Sequence, residues 1–441
     1  MEDAAALERM GEIVSRARAE GESPVVVVSA MGHTTDALAE ALEAAEAGNE
    51  ARALALLARL LRETEQTVKE LFGAEAGRVS TRVAPLFAEL DRMARAVAVL
   101  RAVPPAGRDH FLAHGEMISV EIVAEALLKR GLSASRRDAR EIVVTDDRFG
   151  RAQPDLAETE ARAREVVGAA VSRGEVPVTA GYIGSTREGA TTTLGRGGSD
   201  YTASLLAALL AASAVEIWTD VDGMMTADPR VVPGARSITT LSFEEASELA
   251  YFGARVLHPL TLAPAIEKGI PVRVRNSRRP EAKGTEILAA APSGESHVRS
   301  IAFKKGIATV DVVTSRMLMA AGFLATVFEI FARHETSVDM VTTSEISVSV
   351  TVDDAARLPE IRAELSRLAQ VEVGRGRAIV CLVGQDLKFT PGVAARIFRA
   401  VERINILMIS QGASRRNVSF VVEERDAEEA VRGLHREFFG A

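Results

Sequence analysis

Four consecutive valines, Val25 to Val28, stand between a helix-period stretch at residues 4 to 20 and a turn-forming run, Ser29-Ala30-Met31-Gly32-His33-Thr34-Thr35-Asp36. A β-branched run this short and uniformly apolar suits a strand covered on both faces, the condition of a parallel strand between helical layers. Further strands are expected at Ala139–Thr145, Val176–Thr179, Glu216–Asp220 and Pro271–Val274, with helical stretches between most of them. Residues 35 to 102 are rich in Ala and Leu with charges at helical spacing, and read as several helices with a break around Gly73 to Gly77. Strands separated by helices define an α/β architecture. A chain of 441 residues has room for about two or three domains.

Composition narrows the partners. The net charge of −8, with 53 Lys and Arg against 61 Asp and Glu, is opposite to the basic footprint that nucleic-acid binding needs. Aromatic residues make up only 4%, too few to build stacking platforms for single strands. Cys381 is the single cysteine, which excludes an intrachain disulfide and fits a reducing compartment, so a cytoplasmic location is expected. The longest apolar stretch, Ala203 to Val215, is interrupted by Ser204 and Ser213 and falls short of the ~20 residues that span a bilayer. Small-molecule partners are expected, with neither nucleic acid nor membrane.

The sharpest chemical signal is Thr191-Thr192-Thr193-Leu194-Gly195-Arg196-Gly197-Gly198-Ser199-Asp200, running directly into a helix-like stretch, Tyr201 to Ala212. The glycines let backbone approach a ligand, and Ser199 or Asp200 is placed to cap a helix whose N-terminal amides attract anions. Arg196 offers a forked donor for a carboxylate or phosphoryl group, while Asp200 can hold an ammonium or assist phosphoryl transfer. A merely capped loop is the alternative. The P-loop lysine and the last glycine of a dinucleotide fingerprint are both missing, which disfavours those folds.

Trp218-Thr219-Asp220-Val221-Asp222-Gly223-Met224-Met225-Thr226-Ala227-Asp228-Pro229-Arg230 reads as a strand entering a turn-rich loop, with hydroxyls, acids and Arg230 suited to ribose and phosphate. An EF-hand fails because its turn glycine is misplaced, and an ordinary surface loop is the alternative. The Ser29–Asp36 loop follows a strand, where α/β sheets collect ligands, with a plain capped turn as the equal alternative. In His114-Gly115-Glu116-Met117-Ile118-Ser119, Glu116 can bind an amine or simply favour a helix start. His110 and His114 have the spacing of a metal pair, but no nearby acid in the sequence completes a zincin pattern, so no metal centre is expected.

Beyond an Ala/Pro/Ser/Gly-rich connector near Thr285 to Val298, a second architecture follows. Gly322-Phe323-Leu324-Ala325-Thr326-Val327-Phe328 recurs in type as Gly392-Val393-Ala394-Ala395-Arg396-Ile397-Phe398. Each copy precedes a strand-like segment (Ser337–Val341, Ile406–Ile409), a polar step and a second strand (Ile346–Val352, Asn417–Val422). Two small strand-helix-strand-strand units are expected.

Together with Phe252-Gly253-Ala254-Arg255-Val256-Leu257-His258-Pro259, these segments occur in the order seen in aspartate kinases, which the chain resembles over nearly its whole length. The resemblance implies a three-layer α/β/α amino-acid-kinase domain over 1–286 and a linker over 287–298. It further implies two ACT-like α+β (βαββαβ) units over 299–374 and 375–441, the second of which can borrow a strand from 299–312. It implies phosphorylation of the L-aspartate side-chain carboxylate, with Asp200 and Arg196 catalytic and aspartate held by Thr35, Glu116, Tyr182, Thr193, Arg196, Gly197, Ser199 and Asp200. ATP, carrying Mg²⁺, would lie along Thr219, Asp220, Met225, Arg230, Arg255 and Val256, although Arg255 replaces a common lysine and Met225 a common tyrosine.

The first ACT-like unit is most similar to lysine-sensitive members. A lysine effector would meet Met317, Phe323, Leu324, Ser337, Val338, Asp339, Thr343, Ser344 and Glu345. ACT units commonly pair their sheets, so a homodimer or homotetramer is expected. The family opens with a Lys-Phe-Gly-Gly strand, whereas this sequence starts at the following helix. The natural product is therefore expected to begin upstream, and a chain extended to include that strand to be far more active. A catalytically silent regulatory subunit is the alternative, and a kinase acting on glutamate or acetylglutamate a third reading.

Overall fold

The computed structural model describes residues 3–252, 259–290, 297–315 and 321–440. The chain opens with α1 (Ala4–Ala19), started by Asp3, whose carboxylate accepts from the Ala6 amide at 2.8 Å. β1 (Val26–Val28), α2 (Thr34–Glu46), α3 (Glu50–Phe72) and α4 (Ala76–Leu100) follow, with a 3₁₀ turn at Gly73–Glu75 making the expected break. Next come α5 (Pro105–Lys129), β2 (Ala134–Arg137), α6 (Leu156–Ala163), α7 (Ala169–Ser172), β3 (Val176–Ala180), β4 (Ile183–Ser185) and β5 (Thr191–Thr193). α8 (Gly198–Leu209), β6 (Val215–Thr219), β7 (Thr240–Ser242), α9 (Phe243–Tyr251), α10 (Pro259–Lys268), β8 (Val272–Asn276) and β9 (Thr285–Leu288) continue the chain. The remainder comprises β10 (Val298–Val313), α11 (Phe323–Arg333), β11 (Val341–Thr343), β12 (Ser347–Val352), α12 (Leu358–Leu365), β13 (Gln370–Gly384), α13 (Val393–Ala400), β14 (Met408–Gln411), β15 (Asn417–Glu423) and α14 (Ala427–Phe439).

Packing gathers these elements into two compact bodies, Met1–Val221 with Leu260–Lys283 and Asp222–Pro259 with Gly284–Ala441. The loop after β6, with β7 and α9, thus packs with the C-terminal body, whereas the sequence boundaries place it with the N-terminal domain. In the first body, β1 and β2 flank β3 in a parallel sheet, with Val26 beside Val178 and Arg136 beside the same residue on the other side. The valine run explains the layering. Val26 and Val28 pack into a core built from α1 to α5, while Val25 and Val27 pack on the opposite side with Ile142, Leu205 and Leu206. Alternate side chains of one strand therefore serve two cores, as a sheet sandwiched between helical layers requires. β4 and β5 form an antiparallel hairpin, and β6 pairs in parallel with β8.

The strand expected at Ala139–Thr145 is not formed. Ala139–Glu141 is a 3₁₀ turn, Val144 and Thr145 make only isolated bridges, and the strand is β2. Its Arg136 and Arg137 hid it from an apolar pattern: their guanidinium groups pair with Glu121, Glu125 and Glu175 while the backbone fills a sheet edge.

The second body carries a six-stranded antiparallel sheet in the order β11-β12-β10-β13-β15-β14, and a parallel pair β7–β9. The long strands β10 and β13 run side by side, so each serves both halves of the sheet, with Ala308–Val313 beside β12 and Arg377–Val383 of β13 beside β15. α11 and α12 cover one apolar cluster, and α13 and α14 another. The expected strand Ser337–Val341 begins only at Val341, and the polar pair Thr342–Thr343 belongs to it, because those hydroxyl residues lie on an outer strand with an exposed edge.

α13 and α14 meet closely at Gly433, where an added Cβ would lie 2.7 Å from the Ala400 carbonyl oxygen. Gly433→Ala should overpack this contact and lower stability by about 1–3 kcal/mol in urea denaturation. An unchanged midpoint would show that the two helices part without cost.

Candidate active site

α5 is buried along most of its length and brings several polar groups inward. Asp109, 2% exposed, accepts from the Gly150 amide at 2.8 Å and the Thr193 amide at 2.7 Å through one carboxylate oxygen. Two turns on, Glu116 is 4% exposed, and its Oε1 accepts from the Ala30 amide at 3.1 Å. Its Oε2 has no partner, and burial raises its carboxyl to about 7. A buried carboxyl oxygen left open in this way is a place for a cationic ligand group.

The Gly-rich run turns with positive φ at Gly195 (81°) and Gly197 (69°), and Gly197 is the N-cap of α8. The expected capping by Ser199 or Asp200 does not occur, because both already lie inside the first turn and the cap has no side chain. The Gly198 amide donates to the Gly195 carbonyl oxygen at 3.1 Å, while the Ser199 and Asp200 amides meet no capping side chain and are available to an anion. Asp200 is half-buried, and desolvation raises its carboxyl to about 6. The Arg196 guanidinium is exposed and makes no ion pair among the described residues.

Tyr182 joins these parts. Its backbone takes a left-handed φ of 68°, its amide donates to Thr202 Oγ1 at 3.2 Å, and burial pushes its phenol up while the Thr193 hydroxyl opposes that shift. A Cβ at Gly198 would come within 2.9 Å of the Tyr182 ring, so only glycine allows α8 to start against that residue. Thr193 is buried in β5, and Thr35 is half-buried in the first turn of α2, beyond the loop whose Ala30 amide binds Glu116. Glu116, Tyr182, Thr193, Gly197 and Ser199 thus belong to one contiguous region, with Arg196 and Asp200 at its edge.

Of the expected nucleotide residues, Thr219 and Asp220 end β6 in the first body. The Thr219 hydroxyl donates to Asp220 at 3.2 Å, and its carbonyl accepts from the amide and hydroxyl of Ser277. Met225 and Arg230 lie in the second body. The Met225 carbonyl accepts from Ser300 Oγ at 2.7 Å, and the Arg230 fork is already closed on Asp228, at 3.0 and 2.6 Å. Arg255 and Val256 lie outside the described residues.

Of the expected effector residues, Met317 also lies outside them. Phe323, Leu324 and Val338 pack against one cluster, whereas Ser337, Thr343, Ser344 and Glu345 are exposed. Asp339 Oδ1 accepts from the Tyr251 hydroxyl at 2.5 Å, and its Oδ2 is buried without a partner. Burial raises the Asp339 carboxyl above the ordinary range.

Residues 1–276 match the amino acid kinase family, and 310–356 with 380–438 match an ACT domain. The lysine-sensitive aspartokinase 3 of Escherichia coli is 43% identical over 364 residues, which covers 80% of this chain and 81% of that protein. Aspartokinase 1 of the Arabidopsis thaliana chloroplast is 38% identical over 95% of this chain and 75% of its own length. The chain belongs to the aspartokinases, within the amino acid kinase family.

Solved aspartokinases extend the match. E. coli aspartokinase III in complex with aspartate and ADP superposes with a TM-score of 0.87 at 38% identity, over 99% of this chain and 97% of that one. The same enzyme with lysine and aspartate gives 0.81 over the same shares. Among the described residues no helix is long and apolar enough to cross a membrane.

Sequence reasoning missed two groups in this aspartokinase. Asp109 shares a face of α5 with Glu116, a spacing of two turns that could have flagged it. Glu89 of α4 reaches both His110 and His114, a contact that nothing local in the sequence signals.

Asp200 sets a pH test on the ligand-free protein. Its folded-state carboxyl sits at about 6 against an ordinary 3.8, so the folded chain holds this proton longer than the unfolded one as pH rises. Stability is therefore lost between those two values and constant above them. Asp200→Asn should remove that slope and raise stability at pH 8 by about 2 kcal/mol, read by chemical denaturation. A parent and variant with parallel pH profiles would contradict the shift.

Proposed function

We infer that this chain transfers the terminal phosphoryl group of ATP to the side-chain carboxylate of L-aspartate, giving 4-phospho-L-aspartate and ADP. A carboxylate oxygen forms the new bond to the γ-phosphorus as the bond to the β–γ bridging oxygen breaks, and ADP carries away the electron pair. No proton has to move in this step, so the protein's part is to position the reactants and stabilise charge. Mg²⁺ bound with the nucleotide would neutralise phosphate charge.

The observation that carries this reading is the grouping of open charged atoms around the start of α8. The exposed Arg196 fork suits a substrate carboxylate, and the unpartnered Oε2 of Glu116 suits its ammonium. The α8 amides favour the anionic reacting groups, and Asp200 assists the transfer from the first turn. Thr35, Tyr182, Thr193, Gly197 and Ser199 shape the remaining contacts. The nucleotide contacts that the family resemblance implies are Thr219, Asp220, Met225, Arg230, Arg255 and Val256. Arg230 would have to release Asp228 to reach a phosphate.

Lysine is the proposed effector. The half-satisfied Asp339 carboxylate offers Oδ2 to an ammonium while the Tyr251 hydroxyl fixes Oδ1. Regulation then requires lysine to bind one state of the protein better than another. The edge strands β11 and β14 expose Val341 and Ile409, and pairing them with a second copy would give a homodimer or homotetramer.

Aspartate-dependent ADP release tests the reading. Arg196→Ala should lower kcat/KM for aspartate by about 100-fold or more. Parent protein that releases no ADP would return the chain to a silent regulatory role. Asp339→Asn should abolish both the inhibition and the thermal shift produced by millimolar lysine while leaving uninhibited turnover unchanged. Retained lysine inhibition in that variant would remove Asp339 from the effector site.

A further inference from the structure

Glu89 on α4 and His110 and His114 on α5 bring three ligand atoms to within 4.8 Å of one another, a grouping the kinase chemistry does not use. His110 Nε2 lies 2.8 Å from one Glu89 oxygen, and His114 Nε2 lies 3.6 Å from the other. The proton positions around His114 follow from its neighbours. Its Nδ1 is 2.9 Å from the His110 carbonyl oxygen, which can only accept, so Nδ1 carries the proton and the neutral ring presents a bare lone pair at Nε2.

That lone pair is fully buried, has no hydrogen-bond partner and faces a carboxylate oxygen that is also only an acceptor. Two opposed acceptors with a dry wall behind one of them are completed by a cation. The outer contacts are already suitable: the His110 carbonyl fixes His114, and Thr191 Oγ1, 3.0 Å from His110 Nδ1, can accept from that ring once its Nε2 turns to a metal. Glu89 and His110 are partly exposed and give an ion a way in.

We propose that Glu89, His110 and His114 form a binding site for one divalent transition-metal ion of the Zn²⁺ class. Two imidazoles and a carboxylate are borderline ligands that leave a fourth tetrahedral position for water. Binding would set the ligand atoms about 3.4 Å apart, the separation that tetrahedral metal–ligand bonds near 2.1 Å give, which opens the His110–Glu89 hydrogen bond of 2.8 Å. The ion would clamp α4 to α5 and, through His110 and Thr191, to β5, the strand that carries Thr193.

The test is titration of the chelator-treated full chain with Co²⁺ and with Zn²⁺, reading the visible absorption of tetrahedral Co²⁺ and the Zn²⁺-induced rise in melting temperature. One tight equivalent is expected. His110→Ala and Glu89→Gln, both at partly exposed positions, should lower its affinity by at least roughly tenfold with unchanged far-UV circular dichroism, and Thr191→Val should weaken it less. His334→Ala, which removes the histidine beside Glu364, should leave it intact. No uptake, or equal uptake by the parent and the His110 and Glu89 variants, would overturn the site.

Discussion

Asp109 accepts, on a single buried oxygen, the amides of Gly150 and Thr193, two backbone points that the chain reaches by separate routes. A buried carboxylate with two amide donors is costly to move, since the Thr193 amide released from it would be left without a partner in a dry setting. This fixes β5 against α5, and the rest of the proposed aspartate region is referenced to that pair. Glu116 projects from the same helix toward the Ser29–Asp36 loop, and Tyr182 packs beside Thr193 and the start of α8. α5 can present so many polar groups inward because many of their partners are backbone amides of neighbouring segments or carbonyls of α5 itself.

Among the described residues of α5, Glu116 Oε2 and His114 Nε2 are buried without a hydrogen-bond partner, and they differ in what they ask for. Glu116 Oε2 is an acceptor in a place suited to a substrate ammonium. His114 Nε2 is a neutral lone pair opposite another acceptor, which asks for a metal ion. Both lie on α5, so a change in how that helix sits would be felt by the proposed substrate region and the proposed metal site together. Asp339 in the second body shows the same pattern, one oxygen held and one open.

Much of the fold was legible in the sequence. The Val25–Val28 run announced a strand between two helical layers, and its alternate valines do enter two cores. The Gly322 and Gly392 repeats marked α11 and α13, each with a left-handed glycine at its start. What could not be read was decided by contacts distant along the chain. β2 hides behind paired arginines, Thr342 and Thr343 are strand residues only because β12 lies beside them, and Glu89 meets His110 only when α4 folds back on α5. In the site, residue types were readable from local chemistry, but the glycine cap of α8 and the role of Asp109 depend on backbone geometry that composition does not reveal.

A crystal structure of this chain with L-aspartate and a non-hydrolysable ATP analogue tests the central claim most directly. The account predicts an aspartate carboxylate on the Arg196 fork, its ammonium against Glu116 Oε2, and its reacting carboxylate facing the analogue's terminal phosphate at the start of α8. Aspartate bound away from Arg196 and Glu116, with the α8 N-terminus facing only solvent, would contradict it.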